Sequence, residues 1–414
     1  MATFRSASSI RAGLTTPAAT PSRVSKRFAH DLLITGNKAS NNIKPIIKHG
    51  PPTGGRSAAS GHTVTVFGCT GFLGRYLVHK LGKSGSRVIV PYRDEDDKRH
   101  LKIMGDLGQI IPLEWDLRKP EQIEECLRHS DVVYNLTGRD YETRNYKYED
   151  VNVTGASQIA KIAHENGVSR LIHVSHLNAK ADSESAFYRT KYEGEVAVRE
   201  AFAGATIARP GPLFGGEDWL LNAVASYPTL FHLNNGQTRT RPAHVLDVAE
   251  SLAVMLGAPK TSVGATFALP GPRTYTYSNL IKLVEAFTLK SHAAPVLPKP
   301  IAMLISNIIN RALWWPTVSP DEVVRKFIDD ASASPKSAAQ DVPAGWEQPE
   351  ATGLEAMVGV NGERVKTWAD LNMEPETIEE HAIKYLRRYR SASTFDAPVE
   401  MGSFKAPRTY HVVE

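Results

Sequence analysis

The chain has 414 residues, 42% of them hydrophobic and 22% charged, an ordinary make-up for a soluble globular protein with about one and a half to two domains. Its net charge of +5 is concentrated at the start: Arg5, Arg11, Arg23, Lys26 and Arg27 precede residue 30 without an acid, and 49 − 5 leaves 44 basic residues against 44 acidic ones. That neutral body excludes a nucleic-acid footprint, the two cysteines (Cys69 and Cys126) exclude a disulfide framework or cysteine metal site, and no apolar run reaches the roughly 18 residues of a membrane span.

Residues 1–29 are basic, acid-free and rich in Ser and Thr. This is the composition of a mitochondrial transit peptide, with removal near Arg27-Phe28-Ala29. Residues 30–60, rich in Gly, Pro and Ser, read as an extended arm. From residue 61 to 210, strand-like runs alternate with helical ones. Apolar runs at 63–67, 87–90, 109–113, 131–135, 170–174 and 205–208 predict six strands. Pro112 assigns the third to an edge or a strand end. Helical spacing at 123–128, 153–164 and 192–202 supplies crossovers. The alternation predicts an α/β fold, a doubly wound parallel sheet of Rossmann type with helices on both faces. Residues 211–330 read as a smaller mixed lobe, with helices at 245–256 and 277–288. The stretch 301–315 is an apolar helical run ending in Trp314-Trp315. It is too short and interrupted to span a bilayer, and suits either a core helix or a surface meeting a partner or a membrane interface. Residues 331–414 hold a linker at 332–352, a helix at 376–388 opened by Pro375, and a tail. That helix ends in Lys384, Arg387, Arg388 and Arg390, a solvated face or one for anionic lipid.

The first strand runs into Gly68-Cys69-Thr70-Gly71-Phe72-Leu73-Gly74. Glycines at this spacing allow a tight turn, close approach of a pyrophosphate and close helix packing. The helix that follows aims its first N–H groups at the phosphates. The second strand runs out as Pro91-Tyr92-Arg93. An Arg there suits the 2′-phosphate of NADPH. Asp94, Glu95, Asp96 and Asp97 follow directly, and a register one residue later would favour NAD. His173 and His176 lie three apart at a strand end with no carboxylate or Cys partner at ligand spacing, so no metal is expected.

The glycine loop resembles that of the extended short-chain dehydrogenase/reductase family. So do Asp116-Leu117, Asn135-Leu136-Thr137-Gly138, Asn152 with Gly155, Arg209-Pro210 and Val245-Leu246-Asp247-Val248, over residues 62–290. The resemblance implies that Asp116 sits by the adenine and that Thr137-Gly138 line the middle of the cofactor. It implies cofactor contacts from Gly68, Thr70, Gly71, Phe72, Leu73, Gly74, Arg93, Asp116, Leu117, Leu136, Thr137, Gly138, Ser175, Lys191 and Pro210.

That family's chemistry uses a Tyr as acid/base, a Lys four residues later and a Ser about twelve before the Tyr. Ser175 and Lys191 match, but the Tyr position holds Phe187. A phenyl ring has no proton to transfer. Tyr188 lies about 100° further round a helix. Ser175, Phe187 and Lys191 therefore read as vestigial, with no catalytic residue.

A more specific resemblance lies in residues 173–179 (His-Val-Ser-His-Leu-Asn-Ala), 191–202, Phe214-Gly215-Gly216-Glu217-Asp218 and 382–390. They are similar to the 39/40-kDa accessory-subunit family of mitochondrial complex I, the NADH:ubiquinone oxidoreductase. The resemblance implies tightly bound, structural NADPH outside the electron path and a role in assembly and stability. It implies a peripheral place on the matrix side of the inner membrane, among complex I subunits near the junction of the matrix and membrane arms, with possible lipid contact. Two alternatives remain: an active mitochondrial NADPH-dependent reductase or epimerase, and a nucleotide-sensing regulator.

Overall fold

The computed structural model describes residues 60–227, 231–257, 259–291, 295–312, 319–330 and 357–396. It also describes an antiparallel pair of two-residue strands, Leu33–Ile34 with Ile46–Ile47. The expected transit peptide, the Trp314-Trp315 pair, the linker at 332–352 and the tail beyond 396 lie outside the described residues.

Six strands form at the six predicted apolar runs. They are β1 (Thr63–Phe67), β2 (Arg87–Tyr92), β3 (Ile110–Glu114), β4 (Val132–Asn135), β5 (Arg170–Val174) and β6 (Thr206–Pro210). A seventh, β7 (Thr266–Leu269), completes one sheet of order β7-β6-β5-β4-β1-β2-β3, with every neighbour parallel. Pro112 sits in β3, an edge strand, where its missing N–H costs no ladder bond on the open side.

Alternation along β1 splits the core. Val64 and Val66 pack with Leu77 and Val78 of α1 (Phe72–Lys83) and with Leu252 and Met255 of helix Val245–Gly257. On the other face Phe67 packs with Ile123 of α2 (Pro120–Leu127), Ile159 of α3 (Ala156–Glu165) and Val198 of α4 (Ala186–Ala201). Buried on both faces, the strands need the near-continuous apolar runs that the sequence carries.

Two differences from the expected boundaries bear on the site. The nucleotide-binding unit was set to end at 210, yet its sheet takes β7 from 266–269. A four-residue strand inside a loosely patterned region leaves no clear period of its own. And α4 begins at Ala186, six residues before 192. Its first turn is capped from far along the chain: Asp321 accepts the Ala186 N–H and the Ser185 hydroxyl, each at 2.8 Å.

The remaining helices are α5 (Leu221–Ser226), α6 (the Val245–Gly257 helix already met), α7 (Tyr277–Thr288), α8 (Lys299–Ala312), α9 (Pro320–Arg325) and α10 (Ile378–Leu386). Leu221, Val224, Leu280, Val284, Ile378 and Leu386 join α5, α7 and α10 in a third apolar cluster. Among the described residues no helix is long and apolar enough to cross a membrane.

Candidate functional site

The strand order reverses between β1 and β4, and a doubly wound sheet opens a crevice at the carboxyl ends of the strands there. The glycine loop lines one side. Gly68 has φ +79°, and a Cβ on it would lie 2.9 Å from the Leu136 carbonyl. A Cβ on Gly74 would lie 2.3 Å from the Gly68 oxygen. The loop is therefore pressed against the turn after β4 on one side and its own helix on the other. Gly71 is the N-cap of α1, with no side-chain cap and no acid in the first turn. The first N–H groups of Phe72, Leu73 and Gly74 are left for an anion, as a phosphate site requires. Thr70 is half-buried beside them. Cys69 is inert: its thiol donates to the Pro91 carbonyl at 3.1 Å, and burial pushes it up to about 12.

The loop after β2 bears on the choice of nucleotide. Arg93 is exposed, while the acids beside it are engaged locally. Asp94 accepts the Asp96 N–H at 3.1 Å, Glu95 pairs with Lys98 at 2.8 Å and Asp96 pairs with Arg99 at 2.7 Å. After β3, Asp116 Oδ1 accepts the Arg118 N–H at 3.0 Å and the Tyr146 hydroxyl at 3.2 Å, with Arg118 4.3 Å above the Tyr146 ring. Leu117 fills the space a Gly155 Cβ would need. After β4, Asn135 Oδ1 accepts the Thr137 N–H at 3.1 Å and the Thr137 hydroxyl at 2.6 Å. That pair of bonds shapes the Leu136-Thr137-Gly138 turn.

Opposite this turn, Ser175 leaves the end of β5 and Lys191 projects from α4. Lys191 is 6% exposed, and among the described residues its ammonium donates to the Thr137 carbonyl alone, at 3.4 Å. Burial pushes its amine down to about 8, with Asp140 and Glu195 pulling the other way. Gly138 makes room for it, since a Cβ there would stand 2.9 Å from Nζ. Asn152 lies in a π-helical turn, Asp150–Gly155, that opens α3, a local widening common at functional sites. Its Nδ2 donates to Thr190 Oγ1 at 3.1 Å. Asn152 Oδ1 and Ser175 Oγ are buried without a hydrogen-bond partner among the described residues. Unpaired buried polar atoms are costly, and beside a buried amine they mark a place where a polar ligand completes the bonding. A glycine cradle, an uncapped helix N-terminus and these open polar atoms are features that fit a dinucleotide. Pro210 ends β6 on the same side.

The reacting end is different. Phe187, 5% exposed, stands four residues before Lys191 with its ring centroid 5.8 Å from Nζ. Tyr148 and His176 meet that ring edge-on at 5.8 and 6.0 Å, and the Arg325 guanidinium lies 4.7 Å above it. Ile328 packs on the same cluster. Tyr188 tilts against His176 at 4.8 Å, and its hydroxyl bonds with Asn178. Burial raises that phenol to about 12. Thus α9 and the turn after it cover the ring. Arg325 bonds the Asp140 carbonyl at 2.7 Å and pairs with Asp321 at 3.5 Å. Asp330 accepts from Asn178, Thr240 and the Arg241 N–H at 2.7–3.0 Å. Sequence reasoning missed Asp321, Arg325, Ile328 and Asp330, all far along the chain from the elements they close. Burial depresses the imidazoles of His173 and His176 to about 3, so both are neutral.

Residues 64–267 match the model of the NAD dependent epimerase/dehydratase family. The chain is similar to the mitochondrial NADH-ubiquinone oxidoreductase 40 kDa subunit of Neurospora crassa, at 43% identity over 86% of either chain. It is 39% identical to the mitochondrial NADH dehydrogenase (ubiquinone) 1 alpha subcomplex subunit 9 of Rattus norvegicus, over 86% of this chain and 87% of that one. Among solved structures, UDP-glucuronic acid 4-epimerase from Bacillus cereus, in complex with UDP-glucuronic acid and NAD, shares the fold with a TM-score of 0.50 at 16% identity, over 64% of this chain and 97% of that one. This chain belongs to the family of the mitochondrial 40 kDa and alpha subcomplex subunit 9 proteins, with residues 64–267 matching the NAD dependent epimerase/dehydratase model.

Proposed function

We propose that this chain is a non-catalytic accessory subunit of respiratory complex I that binds NADPH as a structural ligand and supports assembly and stability of the complex. The observation that carries the reading is the division of the crevice. The cofactor half keeps its glycine loop, Ser175 and Lys191, while the acid position is Phe187 with Arg325 above its ring and Ile328 beside it. Bound NADPH could supply hydride chemistry elsewhere in this family. Here no side chain at the Tyr position holds a proton to match it. Arg93 supports NADPH over NADH because its fork suits a 2′-phosphate, while the acids at 94–96 are occupied by one another's neighbours.

In this reading residues 1–29 direct import, and the folded chain lies peripherally on the matrix side of the inner membrane. Its partners are complex I subunits near the junction of the two arms. Ile301, Leu304, Ile305 and Ile308 of α8 are exposed at helical spacing, which supports a face for neighbouring subunits or the lipid surface.

The test is purification from mitochondria in mild detergent, sizing of native complexes and mass spectrometry of released nucleotide. About one NADPH per chain in a very large assembly supports the reading. A small species without nucleotide overturns it. Ser175 and Lys191 keep a second reading alive, a reductase or epimerase, which steady turnover of NADPH with a carbonyl substrate would establish.

A further inference from the structure

Away from the crevice, three parts of the chain bring imidazoles and carboxylates together. His244 precedes α6, Asp247 lies in its first turn, and Glu376 and His381 come from the approach to α10 and from α10 itself. One ligand atom each from His244, Glu376 and His381 lie within 4.8 Å of one another. His244 is 4% exposed, and its Nδ1 has no hydrogen-bond partner. That nitrogen faces Glu376 Oε2 at 3.5 Å and Asp247 Oδ1 at 3.7 Å. These separations are long for a hydrogen bond. They are close to the roughly 3.3 Å between neighbouring donors on a tetrahedral zinc ion with bonds of about 2.05 Å.

We propose that His244, Glu376 and His381, with Asp247 beside them, form a structural Zn2+ site that staples α10 to the start of α6. Two imidazoles and a carboxylate suit a borderline divalent transition ion over Ca2+ or Mg2+. The supporting contacts are already in place. Asp247 Oδ2 holds the Glu376 N–H at 2.7 Å, and Phe214 stacks on His244 at 5.0 Å. Three adjustments accompany loading. His381 Nε2 and Glu376 Oε2, now in direct contact, part to the spacing of neighbouring zinc donors. The His244 and His381 rings stack at 4.1 Å with only 27° between them, so the partly exposed His381 turns to bring the ion into its plane. Coordination through Nε2 puts the proton on Nδ1, and the exposed Lys384 amine, 3.1 Å from it, swings into solvent.

The experiment uses the full chain, dialysed against EDTA and titrated with Zn2+ by calorimetry, with elemental analysis for stoichiometry. One Zn2+ per chain, weakened by at least about tenfold in both His244→Asn and His381→Asn, supports the site. His381 is partly exposed, so its variant is expected to fold, as circular dichroism would verify. Visible absorption of Co2+ in the unaltered chain is a second measurement: intense bands indicate four-coordinate nitrogen and oxygen ligands. Absent or sub-stoichiometric Zn2+ binding, binding unchanged in both variants, or a weak six-coordinate Co2+ spectrum would each overturn the proposal.

Discussion

Lys191→Met should make the nucleotide-free protein more stable at neutral pH. Burial pushes the Lys191 amine from 10.5 down to about 8. At about 1.4 kcal/mol per pH unit, keeping it charged in the fold costs about 3 kcal/mol. The variant loses one long hydrogen bond to the Thr137 carbonyl, worth about 1 kcal/mol. The net gain at pH 7 is then about 2 kcal/mol. Its pH dependence follows from the sign of the shift. Below pH 8 both folded and unfolded chains hold the proton, and the whole cost is present. Between about 8 and 10.5 the unfolded chain binds more protons than the folded one, so the wild type gains stability as pH rises. The advantage of the variant therefore shrinks across that window and is gone above it. Urea unfolding of both proteins without nucleotide, from pH 7 to pH 10, reads the difference. A variant less stable than wild type at pH 7, or a difference that does not change with pH, would refute the reasoning. With NADPH present the order should reverse, because the amine then gains the partners it lacks.

Arg93→Ala should weaken NADPH by about 10- to 100-fold, the loss of a charge-assisted contact, and leave NADH nearly unchanged by calorimetry; equal effects on both would remove Arg93 from phosphate recognition. Asp321→Ala deletes the cap of α4 and a partner of Arg325. It should cost about 1–2 kcal/mol and speed amide exchange at 186–190; unchanged exchange would separate α9 from the cover of the site. Phe187→Tyr puts a phenol back beside Lys191 but leaves Arg325 and Ile328 over the ring. NADPH consumption with a panel of aldehydes and ketones should stay at background, and turnover by this variant would contradict a closed reacting end.

What the sequence determined by itself is the part of the molecule whose causes are local. The runs at 63–67, 131–135 and 170–174 are short, apolar and flanked by turns, and a doubly covered parallel strand needs little more. The glycine loop follows from spacing, because Gly68 needs its positive φ and Gly74 its missing Cβ within a single strand-turn-helix unit. Phe187 and Lys191 share one helix, so a phenyl ring four residues before the lysine was visible by counting. The closure of the reacting end was not visible. It depends on Asp321 and Arg325 returning over 130 residues to cap α4 and cover Phe187. β7 belongs to the sheet only because β6 offers it an open edge. His244 and His381 meet only because α10 docks on α5 and α7 and carries His381 to the start of α6. In each case the deciding contact joins residues far apart in sequence. No period or spacing encodes such a pairing, and burial of the apolar faces between them is what brings the polar groups together.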